Sequence, residues 1–149
     1  MHGVVAECPE KSGAAILNAA LRAGIVYFAA VFALGFVLGT VRVVWLLPAI
    51  GALPAVAIEL PIMLGMSWWI CARVLRRFVV PDTMAARAVM GGTAFVLLML
   101  AEFLLATLGF GQSPGQFIAG FREPHAVLGL LGQIGFALMP SWQRGGTID

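Results

Sequence analysis

The stretch GIVYFAAVFALGFVLGTVRVVWL, Gly24 to Leu46, is 23 residues long and holds one charged side chain, Arg42. About 20 apolar residues in a row carry a helix through the hydrocarbon core of a bilayer. Inside lipid, backbone N–H and C=O groups find no water, so they must bond within the segment. A membrane strand would show period-two alternation, which is absent here. The stretch therefore reads as a transmembrane helix, and it sets the class of the chain.

Three further runs of the same kind follow, at about Ala52 to Ala72, Ala86 to Leu108 and His125 to Trp142. The last is the shortest. The expected fold is all-α, a polytopic membrane protein with a four-transmembrane-helix bundle over residues 16–142. Residues 1–15 and 143–149 are polar tails on either side of it. Composition agrees: the 149 residues are 61% hydrophobic and 11% charged, with mean hydropathy +0.99. Soluble domains carry about twice that share of charge. A net charge of +2 gives no reason to expect a nucleic-acid partner. Glu7, Glu10 and Lys11 stand where a cleavable signal would need an apolar core. Cys8 in the tail and Cys71 deep in the second run read as two inert thiols.

The connections carry breaker residues. LPAIGALP, Leu47 to Pro54, reads as a tight turn punctuated by Pro48, Gly51 and Pro54. After Pro81, Asp82 or Thr83 can cap the third helix. Ser113, Pro114 and Gln116 resemble a capping box with proline at the first helical position. Phe117, Ile118 and Phe121 would then share a face of a short interfacial helix, the alternative being an irregular loop.

Basic residues set the orientation. Lys11, Arg22, Arg73, Arg76, Arg77, Arg87 and Arg144 fall on one side of a four-span topology, leaving Arg42 and Arg122 for the other. The expected topology is N-in and C-in, in a cell inner membrane. Arg73, Arg76 and Arg77 share a helical face from which they can reach lipid phosphates. Trp45 and Trp142 read as interface anchors.

Four polar residues then fall at one depth. With a rise of about 1.5 Å per residue, Arg42 lies about 6 Å inside the outer end of its span, Glu59 about 10 Å, Glu102 about 9 Å and Gln133 about 12 Å. Each comes from a different span. Arg42 can offer its planar fork to a carboxylate, and the short connection brings Glu59 next to it. One arginine against two glutamates leaves net −1 if both acids ionise. A proton on one glutamate, a bound cation, or water reaching the layer from outside would each resolve this. Arg42, Glu59, Glu102 and Gln133 are therefore the candidate ion or proton site.

Other residues have structural readings. Gly35 and Gly39 form a G-x-x-x-G for close helix packing, and Ala88 with Gly92 and Gly129 with Gly132 offer further close-approach surfaces. Pro61 frees the carbonyl of Ala57, which suits either an ordinary membrane proline or part of an ion site beside Glu59. Met63 and Met66 read as gap-filling packing. His2 and His125 cannot clamp a haem between spans, and no ligand set for a metal occurs, so no cofactor is expected. Glu59 and Glu102 lack an accompanying nucleophile, so the reading leans away from an enzyme.

GFVLGTVRV, ELP and LMLAE together make the chain, from about Val26 to Pro140, resemble a group of small bacterial four-span membrane proteins. The resemblance implies a bacterial inner membrane and carries no established activity. Two function classes follow from the residues. In one, the chain is a structural or accessory membrane protein whose Arg/Glu cluster locks the bundle. In the other, it is a small oligomeric transporter or channel using the buried glutamates. The partners expected are membrane lipids and a homo-oligomer or larger membrane complex.

Overall fold

The structure is a computed structural model that describes residues 9–143, with side chains described from Gly13 onward. Helix α1 spans Pro9–Val41, and a five-residue π-helical turn, Arg42–Leu46, joins it to α2, Leu47–Ile50. Helix α3 spans Ala52–Arg77 and α4 spans Met84–Leu104. A second π-helical turn covers Leu105–Gly109, followed by α5, Pro114–Gly120, and α6, Pro124–Trp142. No strand occurs among the described residues. Three helical stretches are long and apolar enough to cross a membrane: Gly13–Ile50, Ala52–Arg77 and Met84–Gly109. Helix α6 is not among them; it has 19 residues and carries His125 and Gln133. Cys8, the Lys11 side chain and Arg144 lie outside the described residues, as does most of the C-terminal tail.

The first connection differs from the expected turn. Helix continues through Pro48 to Ile50, and the chain breaks only at Gly51. Pro48 has no N–H to donate, and its ring collides with the carbonyl four residues back in a regular helix. The π turn just before it widens the coil, with the Leu47 N–H donating to the Arg42 carbonyl. Pro54 falls in the first turn of α3, where backbone N–H groups have no intrahelical partner anyway. Gly51 takes φ 86°, which a residue with a Cβ rarely adopts. Thr83 supplies the cap of α4 by accepting from the Ala86 N–H at 3.3 Å. At α5 the Ser113 N–H donates to Gln116 Oε1 at 2.8 Å, and Ser113 Oγ accepts from the Gln116 N–H at 3.2 Å.

Helix α1 packs along α3 and α4, and α6 packs along the same two. The main cluster of buried side chains lies toward one end of this arrangement, with Ala55, Val56 and Ala106 buried nearer the other. The cluster includes Ala20, Ala23 and Tyr27 in the first half of the Gly13–Ile50 stretch, Cys71 and Val74 late in α3, Ala86 and Met90 early in α4, and Phe136 and Met139 late in α6. First halves meet second halves, so α1 and α4 run one way and α3 and α6 the other. The contact is closest at Gly91, where a Cβ would collide with the Ala137 carbonyl of α6. Tyr27 crosses from α1 to α6. It is fully buried, its ring lies 4.5 Å from that of Phe136, and its hydroxyl donates to the Phe136 carbonyl at 3.2 Å.

The outer faces are apolar. Only 17–22% of the apolar windows of the three long stretches is buried inside the molecule. Val37, Ile58, Val96 and Leu100 all point outward. An apolar exterior of this extent suits a membrane-spanning bundle, since soluble monomers expose patches of only a few hundred Å².

Candidate functional site

The end opposite the core is built differently. Here the helices line a half-open cavity of about 1100 Å³. Two polar pairs face into it, and each joins two helices. Arg42, at the start of the first π turn, places Nη1 3.0 Å from Oε2 of Glu59 on α3. Gln133 on α6 donates from Nε2 to Oε1 of Glu102 on α4 at 2.6 Å. All four side chains line the cavity. The depth argument thus places these residues together, as one ion pair and one hydrogen-bonded pair. Glu59 keeps 13% of its side chain exposed and Arg42 keeps 34%, so the arginine is the wetter partner.

The π turns frame this layer. One begins at Arg42 and the other begins three residues after Glu102. Such turns are inserted where a helix must re-aim a side chain, and they recur at functional sites. In the second, Thr107 Oγ1 donates back to the Phe103 carbonyl at 2.8 Å, a side-chain bond that competes with the regular ladder.

Other candidate residues fall in different places. Gly35 and Gly39 line the cavity; a Cβ on Gly35 would come 3.3 Å from Met63 Cε, and one on Gly39 would come 3.8 Å from Arg42 Nη2. The tight helix contacts lie elsewhere, at Gly24 against Met90 and Thr93, at Gly91, and at Gly132 against Leu60. A Cβ on Gly92 or Gly129 meets open space. Pro61 lies inside α3 and is exposed, as is Ala57, so the freed carbonyl belongs to the outer face and not to the cavity wall. Arg73, Arg76 and Arg77 are all exposed near the end of α3, with the Arg73 guanidinium 4.4 Å over the Trp69 ring. On α5, Phe117 packs edge-on against Phe103 and Phe121 and lines the cavity, while Ile118 points outward.

Four more residues contribute to this region or to the helix packing beneath it. Ser67 is 1% exposed and lies on the cavity wall. A helical serine without competition usually bonds the carbonyl one turn back. His125 and Glu123 line the mouth. Arg87, grouped above with the basic residues that set orientation, is 5% exposed and buried against α6. Its Nη1 donates to the Pro140 carbonyl at 3.0 Å and to the Gln143 carbonyl, and its Nε lies 3.3 Å from Asp82 Oδ1. The sequence held a signal for this. Arg87, Met90, Gly91, Ala94 and Leu98 recur at helical spacing and form the buried face of α4.

The described residues contain no group of three or more His, Cys, Asp or Glu side chains able to hold a metal ion. The arrangement can instead hold charge between two carboxyl groups in a walled space, with Arg42 compensating one of them. Comparisons with protein-family models, with curated proteins and with solved structures give no match for this chain.

Proposed function

We propose that the chain is a four-span protein of a bacterial inner membrane, N-in and C-in, with α6 as its fourth span and the cavity opening to the outer side. The antiparallel order of α1, α3, α4 and α6 supports the four-span reading. The exposed Arg73, Arg76 and Arg77 near the end of α3 support the orientation, since they suit contacts with anionic head groups on the cytoplasmic side. Within that frame the chain is a small transport protein that handles a proton or another cation at Glu59 and Glu102, as a homo-oligomer or within a larger membrane complex.

One observation carries this reading. Both acidic pairs face a single cavity of about 1100 Å³, where a cluster that only fastened helices would be packed shut. Ionisable residues within a span are functional candidates by default. Closure at the core end and opening at the other suits a site reached from one side at a time. The accessory reading has its own support. The Arg42–Glu59 and Gln133–Glu102 pairs fasten α1 to α3 and α4 to α6, as locks would.

Proton flux into proteoliposomes under an imposed pH gradient and potential separates the two. The transport reading expects wild-type flux that falls at least tenfold in Glu102→Gln, with the variant still folded, since an amide can keep the bond to Gln133. Flux no greater than in empty liposomes favours the accessory role.

A further inference from the structure

The cavity has features that a site for a bare proton or metal ion does not need. Its volume of about 1100 Å³ lies just above the span of sites for organic ligands, about 300–1,000 Å³. Its lining runs along α3 from Ala52 to Ser67, a length of about 22 Å. Between the polar groups the walls are apolar, and Phe32, Phe110, Phe117 and Phe136 contribute aromatic rings to them. Ring faces attract cations, and more strongly when water is excluded. Metal coordination lacks a ligand set among the described residues.

Charge narrows the class further. Arg42 against Glu59 and Glu102 leaves this layer at net −1 when both acids are ionised, and Glu123 at the mouth adds a further carboxylate. A single positive charge completes the layer. Oε1 of Gln133 is buried on the same wall and unbonded among the described residues, and the buried Ser67 lines its far end.

We infer that the cavity takes an organic monocation with an apolar or aromatic body, of the class of lipophilic quaternary or protonated amines. Its charge sits between Glu59 and Glu102, and Arg42 remains the counter-charge of Glu59. The apolar body occupies the walls between that layer and Ser67. The inference rests on the reading of the cavity as a cation site and names the chemistry of its occupant.

The test uses two probes of matched shape and opposite sign, tetraphenylphosphonium and tetraphenylborate, with the full chain purified in detergent. Equilibrium binding is measured for wild type, Glu102→Gln and Gly129→Phe. Gly129 lines the cavity, and a Cβ there meets nothing within 4 Å, so a larger side chain starts into open space. The expected result is saturable binding of the cation, weakened at least tenfold by Glu102→Gln and by Gly129→Phe, with no saturable binding of the anion. If both probes bind and Gly129→Phe blocks both, the cavity is a site but the cationic class is overturned. If the cation fails to bind while proton flux still depends on Glu102, the inference falls and the ion-site reading stands. Binding that Gly129→Phe leaves unchanged places the probe elsewhere and also overturns it. Absence of both binding and flux removes the inference and the reading together.

Discussion

Arg87→Ala lowers the unfolding free energy by about 3–5 kcal/mol, among the largest losses expected of any single substitution in this chain. The guanidinium is 5% exposed and bonds the Pro140 and Gln143 carbonyls at the end of α6. The last carbonyls of a helix have no intrahelical partner, and they carry its negative dipole end. Arg87 satisfies both needs from the neighbouring helix and meets Asp82 with its Nε. Alanine leaves acceptors in a buried place without donors. It also loosens the contact one turn further along α4, where Gly91 lies against Ala137. Arg87→Lys recovers only part of the loss, since an ammonium cannot fork between two acceptors and a carboxylate. The exposed Arg76→Ala should stay within about 0.5 kcal/mol of wild type. Denaturation by SDS in mixed micelles, followed by tryptophan fluorescence, measures all three. Equal losses for Arg87→Ala and Arg76→Ala would refute the buried role.

Arg42→Met costs about 2–4 kcal/mol in the same assay, because it strands Glu59 among apolar side chains. Glu59 keeps only 13% exposure, and Arg42 lies 3.0 Å away. The value stays toward the lower end because the arginine is a third exposed and water already weakens the pair. The double variant Arg42→Met, Glu59→Leu should recover most of the loss, since replacing both partners removes the stranded charge. A double variant no more stable than the single would mean that the pair does not hold α1 to α3. Glu102→Gln behaves differently. It keeps a hydrogen-bonding partner for Gln133, so stability changes little while flux is lost. Together these variants separate what fastens the helices from what handles the ion.

Much of the framework was legible in the residues. Long apolar runs gave the helices, because each helix must satisfy its own backbone in lipid. Thr83 and the Ser113–Gln116 pair gave helix starts, because capping is a local property of a few neighbouring residues. The common depth of Arg42, Glu59, Glu102 and Gln133 followed from helical rise alone. The path through Pro48 was hidden, since the π turn that admits it leaves no mark in composition. The burial of Arg87 went unread because charge counting assigns an arginine to a side of the membrane and not to a face of its helix, whereas its spacing with Gly91 and Ala94 puts it on the packed face. The choice of Gly91 over Gly92 as the contact depends on how α4 is rotated, which a stripe of small residues does not specify. The cavity was invisible for a deeper reason: a void belongs to the spread between helices and to no residue in particular.

The central claim is that the acid pairs sit in a cavity that opens to the outer side of the membrane. Its most direct test is thiol accessibility in intact cells. Cys8 and Cys71 are replaced by alanine, and a cysteine is introduced at Gly129 on the cavity wall or at Val96 on the outer apolar face. A membrane-impermeant methanethiosulfonate added from outside should modify Cys at 129 rapidly and leave Cys at 96 unmodified. A cysteine at 129 that reacts only after the cytoplasmic side is exposed, or not at all, would contradict the account.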